Sequence, residues 1–370
     1  MSKERIGVGI AGAGRIGKHI VWQTEEDSPL GGNYAFWKPK GAEEVQKNTN
    51  IDVNAVVSRG DPEQLVYLLD KDSKYPGMRM LESAEYQEGK LLLNGREIPF
   101  EQYDFSDNKE QVLKWDQENA KIVVESTGKA KTSESAQIHL DNGASLVILS
   151  CPAKDATPSF VYGVNHHLFS GKEKVISNTS CTTNCAAPVV NLIKEEFGLE
   201  WAKLRTIHTY TNSQRITDGS SKSGNTRGRS AIKSGIIPTT TGLSKALKLI
   251  VPGLENIPIE SDAIRINTDT ASMVEFAMKS RSPLTEEGVV EKLFHWSQPG
   301  GPLYGVLALS AGQEVGSDFN GCSTISVVSI ESVKVIDGNT LALDAYYDNE
   351  AGFSYNLTNL VNHITKKLDL

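Results

Sequence analysis

The sequence predicts two domains of different class, an α/β domain on a parallel sheet followed by an α+β domain with an antiparallel sheet. Two observations carry this. In the first half, apolar runs without alternation, such as Lys121-Ile-Val-Val-Glu-Ser126 and Ser145-Leu-Val-Ile-Leu-Ser150, flank a stretch of helical spacing from Thr132 to Leu140. That is the pattern of parallel strands buried on both faces. Beyond residue 208, segments at 262–267, 272–278, 304–310, 323–331 and 340–347 alternate at short intervals, as strands with one face in a core do. At 370 residues, 39% of them apolar and 23% charged, the chain is long enough for two full cores.

The first element is an apolar strand running into a glycine turn and a helix through about Trp22: Ile6-Gly-Val-Gly-Ile-Ala-Gly12-Ala-Gly14-Arg15-Ile16-Gly17. In this strand-turn-helix order the glycines have separate tasks. Gly12 allows the tight turn, Gly14 lets the backbone approach a pyrophosphate, and Gly17 permits close helix packing; Arg15 and Ile16 lie inside the binding turn. The first domain therefore reads as a Rossmann dinucleotide-binding domain. Its second strand, Asp52 to Val57, should end beside the adenosine ribose, where an acidic residue usually meets the hydroxyls of NAD. Here Ser58-Arg59-Gly60 follows. Loss of the carboxylate removes repulsion toward a 2′-phosphate and Arg59 can pair with it, so NADP is favoured over NAD. The alternative is that Asp61 takes the ribose after a longer turn while Arg59 is solvated. Thr127, Gly128 and Ser150 follow the carboxyl ends of later strands and are cofactor-contact candidates. Between helix and second strand, about 24–50, lies an insertion longer than such a connection needs, with aromatic residues that suggest it packs down.

Ser177-Asn-Thr-Ser-Cys181-Thr-Thr-Asn-Cys185 sits between a short strand at Val175-Ile176 and a helix from Asn184 to Phe197. Read alone, a cysteine is most often a buried structural residue. A thiol at a helix N-terminus among hydroxyl and amide donors instead has its thiolate favoured, in the setting of a covalent nucleophile. A base is available in His208, on the alternating segment Leu204 to Tyr210, a strand returning after the helix. Cys185 reads as a buried helix neighbour.

The net charge of −8 argues against nucleic acid or an anionic membrane as partner, so any anion site must be local. No apolar stretch approaches the roughly 18 residues of a membrane span, and the N-terminal residues carry no signal-peptide pattern, which points to the cytoplasm. The four cysteines lack paired CxxC spacing and His166-His167 reads as a surface turn, so no metal site is expected. Thr285 to Trp296 and Gly352 to Leu368 read as helices, the last returning to the first domain. The domains are thus expected at 1–180 and 181–350, with 351–370 as the returning helix.

Taken together, Gly12 to Gly17, Glu125-Ser-Thr-Gly128, Gly163-Val-Asn165, Ser177 to Cys185, Thr206-Ile-His208, Tyr210-Thr-Asn212, Ile236 to Gly242 and Tyr347-Asp-Asn-Glu350 resemble the phosphorylating glyceraldehyde-3-phosphate dehydrogenase family over nearly the whole chain. The separation of Cys181 from His208 is that of the family's nucleophile and base. The resemblance implies that Cys181 attacks the aldehyde of glyceraldehyde 3-phosphate, that His208 moves the proton, and that inorganic phosphate cleaves the resulting thioester to an acyl phosphate. It also implies a substrate-phosphate site at Thr211 and Arg265 and an attacking-phosphate site at Ser180, Thr182, Thr241 and Gly242. Asn349 would orient the nicotinamide, and the assembly would be a homotetramer.

Departures from the family pattern are informative. Ser58 stands for the ribose-binding Asp, and Ser220 stands where NAD-specific members carry proline in a loop that reaches a neighbour's cofactor; both point to NADP. Ser213, Asn267 and Ala351 also differ, and one residue is inserted between Arg229 and Ile236. These leave open a longer phosphorylated aldehyde, erythrose 4-phosphate, as substrate. A catalytically silent binding or regulatory paralogue is the alternative of another class, disfavoured by retention of Cys181 and His208.

Overall fold

A computed structural model describes residues 5–25, 51–75, 81–105, 113–220 and 226–368. Most of the 24–50 insertion lies outside the described residues. The described chain forms two compact units, one running to Ser180 and resumed from Phe353, the other Cys181–Gly352.

The first unit begins with β1 (Ile6–Ala11), α1 (Arg15–Thr24), β2 (Ile51–Ser58) and α2 (Pro62–Asp70). It continues through β3 (Ala84–Gln87), β4 (Lys90–Leu93), β5 (Arg96–Gln102), β6 (Ile122–Glu125), α3 (Ser133–Asp141), β7 (Leu146–Leu149) and β8 (Val175–Ser177). The sheet order is β3-β4-β5-β2-β1-β6-β7-β8, parallel from β5 to β8. Strands β6, β7 and β8 are buried along their whole length, which is why their sequences do not alternate. β1 lies between β2 and β6, so the chain reverses its direction of travel across the sheet there, and the ends of these three strands form the crevice where such folds bind ligands. β3 to β5 form an antiparallel meander whose turns, Glu88-Gly89 and Asn94-Gly95, all have positive φ.

The second unit holds α4 (Cys181–Phe197), β9 (Trp201–Thr209), β10 (Ile237–Thr239), α5 (Leu243–Ile250), β11 (Ile259–Ile266), β12 (Ser272–Lys279) and α6 (Glu286–Ser297). β13 (Leu307–Ser310), β14 (Ser326–Ser329), β15 (Lys334–Ile336) and β16 (Thr340–Tyr347) complete it, and α7 (Ala351–Lys367) carries the chain back. The sheet order is β10-β11-β9-β12-β16-β14-β13. It is mixed: most pairs are antiparallel, as expected, but β9 with β11 and β13 with β14 run parallel. β12 and β16 alternate buried and half-buried residues along their length, and α4 packs on β12, β14 and β16. α4 begins three residues earlier than the apolar spacing indicated, so that Cys181 itself opens the helix. The later part of α7 is tied into the first unit, where Thr358 donates to Gln23 at 3.0 Å and Asn356 donates to the Tyr162 carbonyl at 3.4 Å.

Candidate active site

The turn after β8 is held by its own hydrogen bonds. Asn178 N donates to Leu149 O at 2.9 Å, Thr179 N to Ser177 Oγ at 3.0 Å, and Ser177 Oγ to Cys151 O at 2.8 Å. Within that frame Thr179, a β-branched residue, adopts φ +61°, a left-handed conformation costing on the order of 1–3 kcal/mol. The reversal starts α4 at Cys181, whose thiol therefore lies at the first turn of the helix.

In the second unit, the parallel register sets His208 of β9 directly opposite Arg265 of β11. His208 Nε2 is 3.5 Å from Cys181 Sγ. Its Nδ1 is 2.7 Å from Thr209 O and 2.8 Å from Arg265 Nη1, which itself donates to Thr209 O at 2.6 Å. When Nδ1 carries hydrogen toward the carbonyl, Nε2 is the acceptor facing the thiol, as a base requires.

Burial pushes the Cys181 thiol above its ordinary range; the charge of Arg265 and hydrogen bonds from the Thr182 backbone and hydroxyl act the other way but do not outweigh it. The helix terminus alone therefore does not activate the thiol, contrary to the simplest sequence expectation. Passing the proton from Sγ to Nε2 makes an ion pair without changing the site's net charge, and is the less costly route to a thiolate in a desolvated place. Cys185, fully buried and with its thiol pushed far up by desolvation, is inert beside it.

Arg265 is buried, and its guanidinium has no carboxylate partner among the described residues. Burial, helped by the nearby Arg227, pulls it down to about 10. Arg265 Nη1 reaches Thr211 Oγ1 at 3.5 Å, Thr211 bonds Ser213 Oγ at 2.9 Å, and Arg227 Nη1 reaches that same Ser213 Oγ at 3.5 Å. Two guanidinium groups are thus linked through two hydroxyls, an arrangement that an anion completes. Arg227, also bonded to Thr239 Oγ1 and Thr240 O at 3.1 Å each, was not singled out by sequence; nothing local distinguishes it from other loop arginines.

The other anion-site candidates differ in what they offer. Thr182 is buried and bonds Tyr347 Oη at 3.0 Å as well as the Cys181 sulfur, so its hydroxyl is engaged beside the thiol. Thr241 Oγ1 accepts from Leu243 N at 3.3 Å at the start of α5, and the exposed Gly242 caps that helix with open space around it. Ser180 is half-buried immediately before Cys181, and Ser220 is exposed. Asn349 is buried, with its Oδ1 an acceptor that has no partner among the described residues, which suits the amide of a nicotinamide.

In the first unit each glycine of the turn meets what its spacing indicated. A Cβ on Gly12, φ +92°, would lie 2.6 Å from Thr127 N; on Gly17 it would lie 2.3 Å from Gly12 O; on Gly14 it would meet nothing within 4 Å. The open side of Gly14 caps α1, a helix N-terminus of the kind that suits a phosphate. Arg15 and Lys18 both pair with Asp72; burial alone would raise that carboxyl, but these partners bring it down to about 2. At the end of β2, Ser58 Oγ accepts from Ala13 N at 3.3 Å, and Asp61 accepts from Gln64 N at 2.9 Å as the cap of α2. Arg59 is 72% exposed, with Asp104 4.0 Å away. Thr127 turns its hydroxyl onto Glu125, Gly128 has φ +68°, and Ser150 N donates to Glu125 O at 3.0 Å. The residues present fit a dinucleotide.

Comparison with known proteins gives one answer for both units. Residues 6–133 match the NAD binding domain of glyceraldehyde 3-phosphate dehydrogenase, and residues 180–349 match its C-terminal domain. The chain is 35% identical over 361 residues to glyceraldehyde-3-phosphate dehydrogenase of Geobacillus stearothermophilus, covering 97% of this chain and 98% of that one. It is 32% identical to the enzyme of that name from Shimwellia blattae, covering 98% and 99%, and 31% identical to the cytosolic one of Leishmania mexicana, covering 97% and 99%. With both domains and nearly the full length accounted for, the chain belongs to the glyceraldehyde-3-phosphate dehydrogenase family.

Proposed function

We propose that this chain oxidises glyceraldehyde 3-phosphate to an acyl phosphate, reversibly, with NADP preferred over NAD, and works as a homotetramer in the cytoplasm. The observation that carries it is Cys181 Sγ at 3.5 Å from His208 Nε2, with a buried guanidinium on the far side of the imidazole. Cys181 Sγ adds to the aldehyde carbon to give a thiohemiacetal; His208 takes the thiol proton, hands it to the oxygen of the adduct, and takes it back as hydride leaves. Loss of hydride from that carbon, for which a bound nicotinamide supplies the acceptor, leaves a thioester on Cys181. Inorganic phosphate attacks the acyl carbon, the Cys181 sulfur leaves as thiolate, and the acyl phosphate is released. Arg265, Thr211 and Arg227 hold the phosphate of the substrate. Ser180, Thr241 and Gly242 offer the attacking phosphate a hydroxyl pair and an open backbone, while Thr182 steadies the leaving thiolate. Asn349 takes the nicotinamide amide.

NADP preference is supported at the end of β2. Ser58, tied to the glycine turn, brings no carboxylate to ribose hydroxyls and Asp61 has one oxygen engaged in its own helix cap, whereas the Arg59 side chain is exposed and held only loosely by Asp104. Ser220 adds a further hydroxyl by the family pattern. The tetramer is supported by the exposed Ile216, Ile232 and Ile236, at 70%, 50% and 71%, in the segment expected between subunits. The test is the initial rate with glyceraldehyde 3-phosphate and inorganic phosphate, titrating NAD and NADP separately. A higher kcat/KM with NADP is expected. A clear preference for NAD refutes the cofactor assignment, and phosphate-independent oxidation of erythrose 4-phosphate at a much higher rate refutes the substrate.

A further inference from the structure

At the carboxyl end of β6 the first unit buries a carboxyl–imidazole pair that the chemistry above does not use. Glu125 is 1% exposed and His139, on α3, is fully buried, with His139 Nε2 3.0 Å from Glu125 Oε2. His139 otherwise has aromatic neighbours, Phe105 at 5.2 Å and Trp115 at 5.9 Å between ring centroids, and its Nδ1 has no partner among the described residues. A carboxylate in such a place is costly unless its oxygens are satisfied. The other two donors both come from one residue: Thr127 N at 2.8 Å and Thr127 Oγ1 both bond Glu125 Oε1. Thr127 Oγ1 accepts in turn from Lys129 N at 3.0 Å, which closes the 125–129 turn and leaves that hydroxyl committed within it.

This turn is the floor of the glycine turn. Ser126 N donates to Ala11 O at 2.7 Å and Ser126 Oγ to Gly12 O at 2.7 Å, while the backbone of Thr127 occupies the space a side chain on Gly12 would need. Any shift of Thr127 therefore moves the surface on which Gly12 rests, two residues from the open backbone of Gly14.

We propose that Glu125 and His139 are positioning residues that set dinucleotide affinity by clamping Thr127 beneath the glycine turn. This deepens the reading of that turn as the dinucleotide site and rests on it. His139 fixes one carboxylate oxygen so that the other faces Thr127, and neither residue touches the ligand. Because the clamp acts under the pyrophosphate, common to both cofactors, its loss must weaken NAD and NADP by the same factor.

The experiment is fluorescence titration of the full chain with NAD and with NADP, in wild type, Glu125→Ala and Glu125→Gln, beside the rate of Cys181 alkylation by iodoacetamide. Glu125→Ala is expected to raise both dissociation constants by about tenfold or more, the loss of a charge-assisted hydrogen bond's worth of order, with alkylation unchanged. Glu125→Gln keeps an oxygen for Thr127 and can face the other tautomer of His139 with its amide, so it should stay within about threefold of wild type. Equal affinity in Glu125→Ala and wild type overturns the proposal, as does equal loss in the Ala and Gln variants or a loss confined to NADP. Should Glu125→Ala fail to fold, Thr127→Val removes only the hydroxyl; unchanged affinity there overturns the proposal as well. A wild type that binds neither dinucleotide refutes the site and not the clamp.

Discussion

A methyl group added to either of two glycines in the turn after β1 should do opposite kinds of damage. In Gly12→Ala the new Cβ would sit 2.6 Å from Thr127 N and 2.8 Å from Thr127 Cα, backbone atoms that cannot rotate aside, on a residue at φ +92°. Left-handed strain of about 1–2 kcal/mol and overpacking of about 1–3 kcal/mol together give a loss of about 2–5 kcal/mol, a large part of an ordinary folding free energy. In Gly14→Ala the Cβ meets no protein atom within 4 Å and φ is −78°, so stability should change by no more than about 0.5 kcal/mol. The methyl would instead occupy the approach to the N–H groups of α1. Losing one such contact to a charged oxygen costs about 1.5–3 kcal/mol, or roughly 10- to 100-fold in the dissociation constant. Urea unfolding and fluorescence titration with NAD and NADP separate the two effects. If Gly14→Ala binds both dinucleotides like wild type, the pyrophosphate does not lie on this turn. A Gly12→Ala chain as stable as wild type would refute the packing of Gly12 on Thr127.

Cys181→Ser should abolish aldehyde oxidation while leaving dinucleotide affinity intact; retained turnover refutes the nucleophile. His208→Asn should lower kcat by about a hundredfold or more and slow alkylation of Cys181 near neutral pH, and an unchanged pH profile of alkylation removes its role as base. Arg265→Ala and Arg227→Ala should each raise KM for the phosphorylated aldehyde more than they change KM for NADP; no change with Arg227→Ala would exclude it from the substrate-phosphate site. Asp72 has a folded-state pKa of about 2, depressed from 3.8, so its pairing with Arg15 and Lys18 stabilises the fold above pH about 4 and this is lost as pH falls through about 2. Asp72→Asn should therefore cost up to about 2 kcal/mol at pH 7 and about half that at pH 3, read from urea unfolding; a cost that does not shrink with acid refutes the ionic origin.

What the sequence revealed and what it hid divide along a physical line. The glycine turn was legible because its constraints are local: φ at Gly12, contact at Gly17 and open space at Gly14 follow from spacing within six residues. The buried strands were legible for the same reason, since both faces of β6 and β7 must be apolar. The hairpins of β3 to β5 carried equally local signals in Glu88-Gly89 and Asn94-Gly95, but no chemistry drew attention to them. Cys181 and His208, singled out in sequence, do lie 3.5 Å apart, yet the state of the thiol was not legible, because burial rather than the helix terminus decides its direction and burial belongs to the packed fold. Least legible was the partner of His208. His208 and Arg265 lie 57 residues apart and meet only because β9 and β11 pair in parallel, a register that alternation cannot reveal since it specifies which face a residue takes but not which strand lies beside it. Arg227 is further still from sequence reasoning, as it joins the site through two hydroxyls and a neighbouring turn. The covalent chemistry proposed for this chain is thus written in short motifs, whereas the charge environment around it is written in strand pairing. Substitutions on β11 facing β9 should accordingly alter the reactivity of Cys181 without touching it.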